Sequence, residues 1–170
     1  AQGRGHAWVP LAADEGAAYD ENEEIDLAKL EPLIARPSSP GNVVPVRDVA
    51  GIKVDPAIVG SSVNSSYRDL MIVASMLKGR KISPDTSFGV APGSRQVLEM
   101  IAKNGALADI VSAGARILES TCGFCIGSGQ APRTDAVSIR TSNRNFEARS
   151  GTKSAKVYLA GPESAAAAAL

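Results

Sequence analysis

From Asp48 onward the chain alternates short apolar runs with stretches of helical periodicity, and this alternation restricts the fold more than any other feature of its 170 residues. Ala57-Ile58-Val59 reads as a buried strand ending at Gly60, after which Leu70, Val73, Ala74 and Leu77 recur at helical spacing until Gly79 offers a stop. Thr86 to Val90 predicts the next strand. Ser94 stands where an N-cap is expected, before a helix carrying Val97, Met100 and Ile101 and ending at Asn104-Gly105. A further helix is expected over Leu107 to Ala113, and strands over Ala115 to Leu118, Val137 to Arg140 and Val157 to Ala160. Pro162, followed by Glu163 and a run of alanines, opens a last helix. Parallel strands need crossovers, which helices supply, so the pattern predicts a three-layer α/β domain with a mainly parallel sheet.

Residues 1 to 47 lack that texture. Asp14, Glu15, Asp20, Glu21, Glu23, Glu24 and Asp26 make an acidic run, and Pro37-Ser38-Ser39-Pro40-Gly41-Asn42 follows. The segment reads as an extended arm on a 48–170 domain, pinned by Ile25, Leu27, Leu30 and Leu33, with Ile25 and Leu27 alternating as in a short strand. Lys plus Arg equals Asp plus Glu at 18 each, and aromatics are 4%, so neither an overall charge nor a stacking platform recommends nucleic acid as a partner. No apolar run approaches the length of a membrane span, and the first residues have no signal-peptide core, so a cytoplasmic location is expected. The chain stops at Leu170 inside an alanine-rich helix without a cap, which reads as a fragment of a longer protein.

Ligands of parallel sheets bind at the carboxyl ends of the strands. Three stretches follow predicted strands: Gly60 to Ser66, Cys122-Gly123-Phe124-Cys125, and Ser142 to Arg149. Folding should gather them on one rim. Arg144 and Arg149 carry planar forks suited to carboxylates, and Asn143 adds a neutral donor and acceptor. The Gly60–Ser66 loop opens a helix, so its N–H groups and hydroxyls are candidates to cradle an anion, or it is an ordinary turn capped by Ser66 or Asn64. Cys122 and Cys125 are the only cysteines, and their spacing suits a dithiol redox pair, half a zinc site, part of an iron-sulfur site, or two inert core thiols. Zinc would want four ligands, and His6 is the one remaining His or Cys.

Taken together, Gly60-Ser61-Ser62-Val63-Asn64, Cys122-Gly123-Phe124-Cys125 and Asn143-Arg144-Asn145-Phe146-Glu147-Ala148-Arg149 resemble the motifs of the aconitase and isopropylmalate dehydratase family. Those read G-S-C-T-N, C-G-P-C and N-R-N-F-x-G-R. Lys29-Leu30-Glu31-Pro32, Val44-Pro45-Val46, Ala91-Pro92-Gly93-Ser94 and Pro162-Glu163 extend the likeness to the third domain of a bacterial-type aconitase. The resemblance implies a lyase domain in which a 4Fe-4S cluster acts as Lewis acid on citrate or isocitrate in the tricarboxylic acid cycle, passing through aconitate. It implies that Cys122 and Cys125 are cluster and metal ligands, and that Ser62 occupies the third ligand position. Asn143, Arg144 and Arg149 would then hold substrate, Asn143 also touching the cluster, while the catalytic base would come from further domains.

Three departures bear on that expectation: Ser62 for cysteine, Phe124 for proline, and Ala148 for glycine. A serine hydroxyl lacks the charge and softness that hold iron, so the cluster is expected to be absent or labile and the isolated chain inactive. The alternatives are a non-catalytic module binding tricarboxylate or dicarboxylate anions, an isopropylmalate dehydratase-type domain, and a dithiol oxidoreductase.

Overall fold

The computed structural model describes residues 5–170. Seven strands form one sheet: β1 Leu33–Ala35, β2 Val43–Pro45, β3 Ala57–Val59, β4 Phe88–Val90, β5 Arg116–Ile117, β6 Val137–Arg140 and β7 Lys156–Ala160. Their order is β2-β1-β7-β6-β3-β4-β5. The five strands from β7 to β5 are parallel, and β1 pairs antiparallel with both β2 and β7. The alternation thus delivers the parallel sheet it predicts. The register sets Ala57 opposite Phe88 and opposite Ile139, so β3 lies at the centre of the parallel part.

Four helices follow from local signals. α1, Tyr67–Leu77, turns its Leu70, Val73, Ala74 and Leu77 stripe fully inward, each such leucine contributing about 1.5–3 kcal/mol of burial. α2, Arg95–Lys103, starts where Ser94 Oγ accepts from the Val97 N–H at 3.1 Å, and ends at Asn104. Gly105, at φ 87°, then admits α3, Ala106–Ser112. α4, Pro162–Ala167, carries proline in its first turn, where a missing N–H costs nothing. These helices pack with Ala57, Val59, Phe88, Val90 and Ile139 in one core.

Successive strand residues face opposite ways, so Ile58 and Arg140 belong to the other face. That face is covered at its centre by loop residues and a 3-10 turn at Gly123–Ile126, with no α-helix in the cluster. Ile58 packs there with Ala91, Leu118, Phe124 and Cys125. Gly60 is small by necessity, since a Cβ would come 2.4 Å from Phe124 Cζ and 3.0 Å from Ala91 Cβ.

The sequence pattern assigns residues 1–47 to an arm, but β1 and β2 draw 33–35 and 43–45 into the sheet, and the compact unit begins at Glu31. Pro37-Ser38-Ser39-Pro40-Gly41-Asn42 lies between the two strands and gives the whole stretch the composition of a loop. The preceding unit, Ala1–Leu30, shows one-turn 3-10 helices at Gly5–Ala7 and Leu27–Lys29, the latter capped by Asp26 Oδ1. Residues 25–27 form no strand, Leu27 instead opening a 3-10 turn, and burial within the sheet unit starts at Ile34 and Ala35. No helix among the described residues is long and apolar enough to cross a membrane. Within the sheet unit, an apolar groove of about 660 Å³ runs between the β1–β2 side and α4, lined by Ile34, Val49, Val54, Met76, Tyr158 and Ala167.

Gly60→Ala is expected to destabilise the domain by about 1–3 kcal/mol, because the core beneath it has no slack. Phe124→Leu in the same chain should recover part of that loss in urea unfolding. Equal midpoints for wild type and Gly60→Ala would contradict the packing.

Candidate functional site

At the centre of the sheet, β3 leads through α1 to β4 on one side, while β6 leads to β7 on the other. The two loops therefore part at the carboxyl ends of neighbouring strands, where a crevice opens. Thr141 ties them together. Its Oγ1 accepts from the Gly60 N–H at 2.8 Å and lies 2.7 Å from the Gly60 carbonyl and 3.1 Å from that of Asn64. Asn64 Nδ2 donates to the Thr141 carbonyl and to Asn143 Oδ1. Ser61, held at φ 86°, turns its hydroxyl to accept from the Asn64 N–H at 3.2 Å.

The anion-cradle reading of the helix start is displaced by the capping one. Ser66 Oγ accepts from the Asp69 N–H at 3.3 Å, and Asp69 Oδ2 accepts from the Ser66 N–H at 2.8 Å. A capping box occupies the N-terminus of α1. Asn64 serves the crevice instead.

Cys122 precedes and Cys125 lies within a single 3-10 turn, Gly123–Ile126, with Cys122 exposed and Cys125 5% exposed, both as free thiols. Two residues from other strands and loops pin the turn. Arg140, fully buried, donates from Nη1 to the Phe124 carbonyl at 2.7 Å, from Nη2 to that of Gln130 at 2.5 Å, and from Nε to Ser138 Oγ at 2.9 Å. Ser150 Oγ donates to the Cys125 carbonyl at 2.9 Å. Gly127, at φ 87°, brings the turn so close to Ser150 that a Cβ would lie 2.4 Å from its carbonyl. Burial pulls the Arg140 guanidinium down to about 10, against the attraction of the Cys125 sulfur. Burial first, and the neighbouring Cys122 second, push the Cys125 thiol up to about 12. Dithiol enzymes set their accessible thiol at the N-terminus of a long helix, whereas here Cys122 precedes a single 3-10 turn.

The third loop is shaped by Asn145 and Ala148. Asn145, 2% exposed, donates from Nδ2 to the carbonyls of Arg36 and Val157 at 3.0 Å each, binding the loop to the β1 and β7 side. Ala148 sits at φ 62°, in the left-handed region where glycine is at ease, and the Arg149 N–H then returns to the Phe146 carbonyl at 3.0 Å. The Arg149 guanidinium lies 5.5 Å from the Phe146 ring centroid.

All six residues singled out from sequence line one pocket of about 250 Å³: Ser62, Cys122, Cys125, Asn143, Arg144 and Arg149, joined by Ser61, Val63 and Ser142. None of these lining residues is acidic or a histidine. Arg149 Nε and Ser142 Oγ are buried without a protein partner, which marks the wall as made for acceptor and donor atoms of something else. His6 is exposed in the Ala1–Leu30 unit. Arg140, Asn64 and Ser142 were not singled out as site residues. The one signal in the sequence is Arg140 itself, a charged side chain ending the strand Val137-Ser138-Ile139-Arg140 where alternation pairs it with Ser138 on one face.

The donor set can be tested against an iron-sulfur cluster held at three corners. Ser62 shares the pocket with both cysteines, but it offers a neutral hydroxyl where a soft thiolate is wanted. The residues present fall one thiolate short, and the set does not fit.

Comparison with known proteins gives one family. Residues 47–170 match the aconitase family (aconitate hydratase). The chain is 40% identical over 162 residues to a 3-isopropylmalate dehydratase large subunit of Methanopyrus kandleri, covering 95% of this chain and 39% of that protein. It is 42% identical over 165 residues to the one from Deinococcus radiodurans, covering 96% and 38%, and 40% identical over 166 residues to that of Mycolicibacterium smegmatis. The chain thus spans about two fifths of the length of these relatives.

Two outcomes follow. Ala148→Gly should raise stability by roughly 0.5–1 kcal/mol, the relief of a left-handed alanine less the added freedom of the unfolded chain; an unchanged or lower urea midpoint would contradict it. Iodoacetamide at pH 8 should label Cys122 and spare Cys125 until denaturant is added, because the thiolate is the reacting form. Equal labelling of the native protein, read by mass spectrometry, would count against the buried Cys125.

Proposed function

The chain belongs to the aconitase family, and on that premise we propose that it is the carboxylate-binding, cysteine-bearing domain of a hydro-lyase. The reaction class removes water across adjacent carbons of a hydroxy-dicarboxylate or hydroxy-tricarboxylate: a carbon loses a proton, the neighbouring carbon loses its hydroxyl, and a double bond forms. One observation carries this reading: three motifs distant in sequence line one pocket at the centre of the sheet. Arg144 and Arg149 are suited to fix carboxylates by paired N–H donors, and Asn143 to hold an oxygen between them.

The substrate follows from two descriptions that do not coincide. The family is named for aconitate hydration, the relatives for 3-isopropylmalate. The malate-like carboxylates common to both substrates are what the cationic wall reads, so the class, rather than citrate alone, is the assignment. Identity of about 40% to 3-isopropylmalate dehydratase large subunits supports the isopropylmalate side. Their designation as large subunits makes a second chain part of this reading, with the rest of the parent protein.

Turnover needs more than the wall. With no carboxylate, histidine or lysine lining the pocket, and a Cys125 thiol pushed up to about 12, a base is missing from these residues. The isolated chain is therefore read as binding without turnover, and the Ser62 donor set favours, as second reading, a module that only binds the anion.

Tricarballylate, which has the carboxylates and no hydroxyl to lose, tests binding by calorimetry. It should bind the chain, and Arg144→Ala or Arg149→Ala should each weaken it about tenfold or more, the scale of a charged hydrogen bond. No loss in either variant would sink the assignment. Ser62→Cys should raise iron and acid-labile sulfide after anaerobic reconstitution without producing turnover of citrate or isopropylmalate. Equal iron in both proteins would refute Ser62 as the third ligand position, and turnover by either would refute the missing base.

A further inference from the structure

Two side-chain amides join the loop after β3 to the loop after β6, and their polarity is fixed by an atom that can only accept. The Thr141 carbonyl has no hydrogen to give, so the Asn64 atom facing it is Nδ2. That same NH2 carries a second hydrogen, which meets Asn143 Oδ1. Asn143 has therefore committed its oxygen to Asn64, and the group it has left for the pocket is its own NH2. Resting on the reading of the pocket as a carboxylate site, we propose that Asn64 is a positioning residue that turns Asn143 into an obligate donor. Asn143, Arg144 and Arg149 then present donors only, so the pocket selects ligands by their acceptor oxygens.

Asn64 is itself placed for this. Its N–H is held by Ser61 Oγ at 3.2 Å, and its carbonyl lies 3.1 Å from Thr141 Oγ1, so both ends of the residue are fixed to the two loops that it links. The helix start has no use for it, since Ser66 and Asp69 form the cap. A free Asn143 would sample both amide orientations, one of which points an oxygen at a bound carboxylate. The lock removes that orientation before the ligand arrives.

A double-mutant cycle with tricarballylate tests the proposal. Asn64→Ala should weaken binding about tenfold in the wild-type background and less than twofold when Asn143→Ala is already present. Asn64→Asp, nearly the same shape but unable to donate, should lose as much as Asn64→Ala and serves if the latter folds poorly. The same factor with and without Asn143, or no loss in Asn64→Asp, would overturn the proposal. A second measurement needs no ligand. The Asn64 side-chain amide protons should exchange slowly in ¹⁵N spectra, and Asn143→Ala should release one of them. Fast exchange in the wild type, or protection indifferent to Asn143→Ala, overturns the orientation. Intact protection without tricarballylate binding leaves the orientation standing and sinks the carboxylate reading instead.

Discussion

The parallel pairing of β3 with β6 is the constraint on which the site depends. These strands are distant in sequence, yet their neighbouring carboxyl ends send the chain in opposite directions, and the divergence makes the crevice. The sheet ladder ends at Thr141, whose N–H still reaches the Ile58 carbonyl at 3.2 Å, and its side chain then takes over the pairing by accepting from Gly60. One hydroxyl thus carries the order of the sheet two residues beyond its last ladder bond. Ser61, Asn64 and Asn143 inherit their positions from it.

The cysteine turn is held by a different physical device. Arg140 sits under it with two carbonyls and a hydroxyl as acceptors and no carboxylate among its partners. Burying an unpaired cation costs several kcal/mol, and hydrogen bonds to carbonyl dipoles offset only part of this. The arrangement makes sense where a bound anion supplies negative charge above it. Arg144 and Arg149 in its wall, with Arg140 buried beneath the cysteine turn, give the pocket a cationic bias in a chain whose formal net charge is zero.

How much of this was legible in the sequence differs by scale. The five parallel strands were readable because each carries β-branched or other apolar residues bounded by turn residues, while α1 and α2 carry their own caps and α4 opens on proline. The six pocket residues were readable because loops after parallel strands converge whatever their separation along the chain. β1 and β2 were not, since the Pro37–Asn42 stretch between them reads as loop and the pairing of β1 with β7 is purely tertiary. Ile25 and Leu27 misled for the opposite reason, since their strand-like alternation is overridden by Asp26, which caps a 3-10 turn at Leu27–Lys29. The roles of Arg140 and Asn64 could not be read either, because each acts through backbone carbonyls brought near by folding, and carbonyls leave no mark in a sequence.

The central claim is that the crevice between the β3 and β6 loops, and no other concavity of the sheet unit, is the ligand site. Backbone amide shifts of the ¹⁵N-labelled chain titrated with tricarballylate test it most directly. The account predicts saturable shifts confined to residues 60–66, 122–127 and 141–150, with one dissociation constant for all three stretches. Shifts centred instead on the apolar groove around Val49, Val54 and Tyr158, with those three stretches unmoved, would contradict it.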